Sequence, residues 1–390
     1  MDRVVVTNEP DESARLRAAP LLTVGVEEEF LLVDPDSRTP APVAEAVIAT
    51  ASADLGDLVG PELTRCQIET RTGPHTSLAE LTEQLHFARQ VAAEAAKAHN
   101  VRLMASGAPV LAPHGAPRLM PGERYARSSA AFGALDDEEV ACACHVHVGF
   151  ADRGQALAVS NRLRVWLPVL TALGANSPFW AGRDTGHASW RCVTRHRWPV
   201  SGPPPLFTST EHYEHLVARL VDTETCLDAD GVYWDIRPSR KHPTLEIRIA
   251  DVGLTVDDAA LLAALVRAAA ATALDEVLEG RPAPNPDPQL LRAACWRAAR
   301  DGLSGEAIDL TQRCLEPATD QLRALIQWVS PALVRHGDAA LVDAHVARLE
   351  AVGTGAERQR TAYARRHRFE DVVDMVVTQT LLPPASSSTR

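Results

Sequence analysis

The chain has 390 residues, 46% of them hydrophobic, enough to bury a large core in one domain or two. Asp and Glu outnumber Lys and Arg by 51 to 39, for a formal charge of −12, which makes a poor binder of nucleic acid or of anionic membranes. No apolar run is long and charge-free enough to cross a bilayer, the first residues carry Asp2, Glu9, Asp11 and Glu12 with no signal-peptide core, and the 7 cysteines are scattered, which reads as reduced thiols in a cytoplasmic protein.

Residues 1–20 read as a loose leader. Thr23–Val33 (TVGVEEEFLLV) then reads as a β-strand, apolar and β-branched, followed by a turn at Asp34-Pro35-Asp36-Ser37. Strand alternation puts Val24, Val26, Glu28, Phe30 and Leu32 on one face and Gly25, Glu27, Glu29 and Leu31 on the other. Glu27 and Glu29 thus sit roughly 6.6 Å apart along one face. Two half-buried carboxylates so placed repel unless a cation lies between them, and hard oxygen ligands suit Mg²⁺ or Mn²⁺. A polar outer face of an edge strand is the plainer alternative.

Residues 43–59 read as a weak helix or irregular, and 62–71 as a second strand carrying Arg65, Gln67, Glu69 and Arg71 on one face. Glu62 falls on the opposite parity and reaches Glu69 only through a bulge or bend. Ser77 and Glu80 form a capping box for a helix to about His99, and 101–105 is a short strand. Residues 106–139, with Pro109, Pro113, Pro117 and Pro121, read as a long loop of the lid or binding kind. Next come a strand at 140–150, a helix at 153–175 bent near Pro168, an irregular stretch at 176–207 and a helix from Glu211 to about Thr223. Strands at 231–238 and 243–251 join through a short turn, and Thr255–Asp258 caps a long alanine-rich helix. From Asn285 the pattern is helical, with breaks at Gly302–Gly305, Pro331 and Gly353–Gly355, and 383–390 reads as a disordered tail. This is α+β, with 21–382 a single catalytic domain, sheet-rich over 21–255 and helical over 256–382. Neither a GxxxxGK[ST] phosphate loop nor a strand–GxGxxG–helix unit is present.

Three further stretches carry chemistry. In Cys142-Ala-Cys-His145-Val-His147, the two histidines share one strand face and the cysteines the other, so the string does not make a compact tetrahedral zinc site. One histidine then faces the acidic wall as a ligand or polar contact, with a pair of semi-exposed histidines the plainer alternative. Thr244, Glu246 and Arg248 alternate with Leu245, Ile247 and Ile249, repeating the carboxylate-plus-arginine theme of Glu69 and Arg71. Acid for a cation and guanidinium for an anion is what phosphoryl transfer needs. Ser189-Trp190-Arg191 and Tyr233-Trp234-Asp235-Ile236-Arg237 set an arginine near an aromatic, which suits carboxylate or phosphate capture, although tryptophans there also serve as core packing.

Taken together, TVGVEEEF (23–30), QIETRT (67–72), CHVHVG (144–149), NSPFWAGRDTG (176–186), SWR (189–191), YWDIRPS (233–239) and TLEIRIADVGLTVDD (244–258) resemble the carboxylate–amine ligases related to glutamate–cysteine ligase type 2. The resemblance implies a glutamine-synthetase-like fold: a curved, largely antiparallel sheet forming a funnel, with helices outside. It implies ATP and Mg²⁺ (or Mn²⁺) and an acyl phosphate on a small-molecule acid that an amine then attacks. It implies Glu27, Glu29, Glu69, His147 and Glu246 as metal ligands, with Glu62 a further candidate. Arg248 would steady the transferring phosphoryl group and Arg191 the acid or acyl phosphate, while Arg71, Arg237 and Trp234 would contact substrate or nucleotide. Against the family pattern, His187 replaces an aromatic residue before Ala188, and Thr194-Arg195-His196 precede Arg197-Trp198-Pro199 where a tryptophan is usual. Those departures bear on which acid and amine are joined. A guanidino-type phosphotransferase and a non-catalytic metabolite-binding homologue are the other readings. An apolar pair of C-terminal helices is compatible with a homodimer.

Overall fold

The computed structural model describes residues 21–385 apart from 113, 114, 116 and 117. The expected leader and residues 386–390 of the expected tail lie outside the described residues. The strands in chain order are β1 (Val24–Val33), β2 (Val59–Pro61), β3 (Gln67–Arg71), β4 (Arg102–Met104) and β5 (Ala143–Gly149). Two small pairs follow, β6 (Phe179–Trp180) with β7 (Arg183–Asp184), and β8 (Ser201–Gly202) with β9 (Tyr233–Trp234). Then come β10 (Ile236–Pro238), β11 (Thr244–Asp251), β12 (Glu306–Ile308) and β13 (Leu315–Pro317).

Among the described residues, seven strands form one sheet in the order β10-β11-β5-β1-β3-β2, with β4 also on β1. Every pairing in it is antiparallel. The Pro/Asp/Ser turn after β1 forms as expected, with Asp34 Oδ1 accepting from the amides of Asp36 and Ser37 at 3.0 and 2.7 Å. One sheet face is apolar. Val24, Val26, Val146, Val148, Leu245 and Ile247 pack there with Leu81 and Leu85 and with the helix Val256–Leu278. That helix is apolar nearly all round, as a helix surrounded by protein must be, and the expected capping box at Thr255 and Asp258 starts it.

Glu28 points to this apolar face, between the two carboxylates of the other side. It is fully buried and meets an equally buried Arg89: Nε to Oε2 is 2.9 Å and Nη2 to Oε1 is 2.5 Å. Arg89 also donates to the carbonyls of Gly253 (2.7 Å) and Thr380 (3.2 Å). One guanidinium thus ties β1, its own helix (Leu78–Ala98), the turn after β11 and the end of the C-terminal helix.

Several expected elements came out differently. Residues 62–71 are not one strand; the chain reverses at Thr64–Cys66, and the Gln67 amide donates to the Thr64 carbonyl at 3.1 Å. Glu62 therefore reaches Glu69 across a hairpin, and strand parity never applied. The 106–139 segment contains a helix, Glu123–Phe132, and the irregular 176–207 stretch contains another, Trp190–Arg195. Pro331 lies inside the helix Ala318–His336, whose Leu322, Leu325, Val329 and Leu333 are buried; the chain breaks instead at Gly337, in the left-handed region at φ 77°. Of the expected tail, Ala385 is held by a 3.1 Å hydrogen bond from its amide to Asp257.

Arg89→Ala leaves Glu28 charged and unpaired in the core. It should lower unfolding stability by about 3–5 kcal/mol, read as a lower urea midpoint, whereas a surface control such as Arg366→Ala should shift it little.

Candidate active site

The polar face of the sheet carries the candidate site because residues two apart on adjacent strands line up in rows. On β1, Gly25, Glu27 and Glu29 face the same way. Their cross-strand partners on one side are His147 and His145 of β5, and on the other Arg71 and Glu69 of β3. Glu246 of β11 pairs with His147, and Arg237 of β10 pairs with Glu246. Neighbouring strands lie about 4.8 Å apart, so acids distant in sequence become close neighbours. Gly60 of β2 leaves room for Arg71, whose Nη2 would lie 3.1 Å from a Cβ added there.

Two groups result. In the first, ligand atoms of Glu27, His145 and Glu246 lie within 4.8 Å of one another. In the second, Glu29, Glu62 and Glu69 do the same. His145 sits between them, with Nδ1 3.3 Å from Glu27 and Nε2 3.7 Å from Glu29. His147 Nε2 is 3.5 Å from Glu27 and 4.0 Å from Glu246, and its Nδ1 pairs with Thr244 Oγ1 at 2.9 Å. The Nε2 atoms of both histidines are buried with no hydrogen-bond partner, as expected of nitrogens placed to take a ligand. Glu29 Oε2 accepts from the Ala143 amide at 2.7 Å, which fixes one oxygen and leaves the other to the cleft.

Over this acidic floor stands a basic rim. The cleft, about 440 Å³, is also lined by Arg71, Arg124, Tyr233, Arg237, Lys241, His242 and Arg248. Arg237 Nε donates to Glu246 at 2.9 Å, Arg248 pairs with the same carboxylate, and Arg71 pairs with Glu69. A second cavity of about 520 Å³ opens beside Glu27, Arg71 and His147 and is lined by Gly25, Pro74, Gly149, Phe150 and Pro243.

Electrostatics divide the two groups. Burial opposes ionisation of Glu27, but the hydrogen bond from His145 and the close approach of His147 outweigh it and hold the carboxyl well below the usual range. Burial likewise opposes ionisation of Glu246, and Arg248 and Arg237 reverse that. In the second group the opposing charges, Arg71 beside Glu69 and Arg195 and Arg248 toward Glu62, offset only part of the burial. Burial, with the Glu29 charge, pushes Glu62 up to about 8. Burial, with Glu27 and Glu62, pushes Glu69 well above the carboxylate range. Burial and then the Arg248 charge lower the pKa of His145, favouring the neutral imidazole that ligates a cation.

The structure brings Glu27, Glu29, Glu62, Glu69, His147, Glu246, Arg71, Arg237 and Arg248 to one cleft. It does not bring Arg191 or Trp234 there. The Arg191 guanidinium is buried behind β11, donating to the carbonyls of Arg248 and Ile249 at 3.1 and 3.2 Å, because the helix Trp190–Arg195 seats it there. Trp234 packs in a small core with Phe207, Tyr213 and Val232; its cleft-lining neighbour is Tyr233. His187 packs on Trp190 and Trp296, outside the cleft lining, while the Arg195 guanidinium lies 4.6 Å over the Tyr233 ring. His145, which strand alternation sets beside His147, joins the first group. Arg124 reaches the cleft from the helix Glu123–Phe132, inside the segment expected to be loop.

A profile of the glutamate–cysteine ligase family 2 matches residues 23–378. The chain belongs to that family. A Frankia alni protein named "Putative glutamate--cysteine ligase 2-2" is 45% identical over 374 residues, covering 92% of this chain and 97% of its own. A protein of the same name from Mycobacterium sp. (strain KMS) is 46% identical over 361 residues, with coverages of 92% and 98%. In fold, the chain is similar to a glutamate–cysteine ligase of Francisella tularensis solved in complex with AMP, at a TM-score of 0.69, 13% identity, and coverages of 93% and 89%. The α+β class and the antiparallel sheet thus hold. No helix among the described residues is long and apolar enough to cross a membrane.

Because Glu62 and Glu69 have raised values in the folded chain, the fold binds more protons than the unfolded chain between the ordinary carboxyl range and about pH 8. Their ionisation therefore removes stability as pH rises through that window. Glu27 and Glu246 act oppositely, losing stability only as pH falls below the ordinary range. A cation among Glu29, Glu62 and Glu69 should relieve the penalty, so MgCl₂ should raise the melting temperature more at pH 8 than at pH 5.5, against EDTA controls. Equal shifts at both pH values would contradict a cation there.

Proposed function

We propose that this member of the glutamate–cysteine ligase family 2 is an ATP- and Mg²⁺-dependent ligase that joins a small carboxylic acid to an amine, with glutamate and cysteine as the first pair to try. The observation that carries the reading is the pair of acid-rich triads side by side beneath a basic rim. An acidic floor alone repels a polyphosphate, and a basic rim alone leaves the floor's charge uncompensated. The two together fit a nucleotide's phosphates with divalent cations beneath them.

The carboxylate oxygens suit Mg²⁺ or Mn²⁺, and of the two the imidazole nitrogens favour the softer Mn²⁺. Glu27, His145, His147 and Glu246 would hold one ion and Glu29, Glu62 and Glu69 another. Ions so held shield the phosphate oxygens and make the γ-phosphorus a better electrophile. Arg248, fixed on the Glu246 carboxylate, faces the first group and steadies charge on the transferring phosphoryl. The apolar cavity beside Glu27 and Phe150 takes the nucleoside, which leaves the Glu69 end, with Arg71, Arg124 and Tyr233, for the acid and amine. A ligase of the same fold bound to AMP supports the nucleotide part of the reading. An acid oxygen attacks the γ-phosphorus, ADP leaves, and the amine nitrogen displaces phosphate from the acyl carbon.

Turnover should yield amide, ADP and phosphate in equal amounts, detected by mass spectrometry and phosphate release across a panel of acids and amines. A phosphorylated product without amide would instead favour a phosphotransferase. Glu29→Gln should lower turnover at least ~100-fold with a melting temperature close to wild type; unchanged phosphate release would defeat the metal assignment. Photolabelling with 8-azido-ATP should map to residues 23–27, 72–74 and 149–151, and labelling confined to other segments would move the nucleoside elsewhere.

A further inference from the structure

Arg191 lies outside the cleft lining yet is only 4% exposed, and two of its guanidinium nitrogens are held by backbone carbonyls while Nε has no partner. Its Nη2 donates to the Arg248 carbonyl (3.1 Å) and its Nη1 to the Ile249 carbonyl (3.2 Å). Those two residues form a β-bulge. Ile247 pairs with Val146 and Ala250 with Cys144, so two residues of β11 stand opposite the single His145 of β5. A bulge takes carbonyls off the regular ladder, and buried carbonyls need donors from elsewhere. Arg191 is that donor.

Asp251, 1% exposed, backs the arginine. Its Oδ2 accepts from the Asn176 amide (2.8 Å) and Ser177 Oγ (2.6 Å), and its Oδ1 from Ser189 Oγ (2.8 Å). Arg191 Nη1 stands 4.0 Å from the same carboxylate, and the Arg191 amide donates to Ser177 Oγ at 3.1 Å. Gly107 permits this: a Cβ there would lie 2.6 Å from the Asp251 carboxyl carbon. The frame continues into the helical half, where Gln359 Nε2 donates to the Asn176 carbonyl at 2.9 Å.

We propose that Arg191 is a positioning residue that clamps the bulge carbonyls of Arg248 and Ile249 against the buried Asp251, and so fixes the aim of Arg248 into the cleft. This rests on the reading of Arg248 as the group that steadies the transferring phosphoryl. The bulge moves Arg248 with it, and a misplacement of about 1 Å at such a group costs up to ~100-fold in rate.

The test is a double-mutant cycle with ATP, Mg²⁺ and the best acid–amine pair. Arg191→Met should lower kcat about 30–100-fold with KM for ATP within about twofold of wild type. Arg191→Lys, which keeps charge beside Asp251 but reaches fewer carbonyls, should regain stability and only part of kcat. In an Arg248→Lys background, Arg191→Met should add less than about threefold further loss. A full second loss there, or a KM effect that outweighs kcat, overturns the proposal. If Arg191→Met does not fold, Ser177→Ala replaces it, with a smaller kcat loss and the same non-additivity expected. Should the wild-type protein release no phosphate with any pair, the ligase reading fails separately. Peptide hydrogen exchange then decides: Arg191→Lys should speed exchange across 246–251 while β1 and β3 stay protected, and unchanged or uniformly faster exchange overturns the clamp.

Discussion

Acidic groups crowded onto one sheet face set the terms for everything around them. Glu27, Glu29, Glu62, Glu69 and Glu246 share a wall with two histidines, and burial raises the cost of ionising Glu27, Glu62, Glu69 and Glu246. The rim arginines satisfy Glu246 and in part Glu69, and the histidines satisfy Glu27. What remains uncompensated is concentrated at Glu62 and Glu69. A fold that keeps such a cluster gives up stability unless cations occupy it, which is the ground for the proposed Mg²⁺ ions and for the nucleotide phosphates they would accompany.

The opposite face of the same strands supplies the rigidity that the wall requires. Glu28 points away from its two acidic neighbours into a bidentate pair with Arg89, and the valines of β1 and β5 pack on a nearly all-apolar helix. Carboxylates that would otherwise spread apart are thus fixed by backbone register, each held a strand spacing from the next. Arg191 and Asp251 extend the same principle to an irregular place in the wall, the bulge that carries Arg248. Catalytic precision of this kind depends on groups that never touch substrate.

Family membership and wall geometry support each other at different levels. The profile match and the identity near 45% establish kinship over almost the whole chain. The placement of Glu27, Glu29, Glu69, His147 and Glu246 in a single cleft gives that kinship a chemical content. The positions near the family's departures divide. Arg195 stacks on cleft-lining Tyr233, whereas His187 belongs to a separate aromatic cluster with Trp190 and Trp296.

Strand alternation alone determined that Glu27 and Glu29 share a face, that Glu28 turns away, and that His145 and His147 look the same way, because a period of two is a local property of the backbone. Capping chemistry placed the start of the long buried helix at Thr255 for the same local reason. Tertiary structure decided which faces meet. The hairpin at Thr64–Cys66 delivers Glu62 to Glu29 and Glu69, the helix Trp190–Arg195 draws Arg191 behind the sheet, and the packing around Phe207 takes Trp234 out of the cleft. No local pattern encodes these outcomes, since each depends on cross-strand register and on which side of the sheet a distant segment packs.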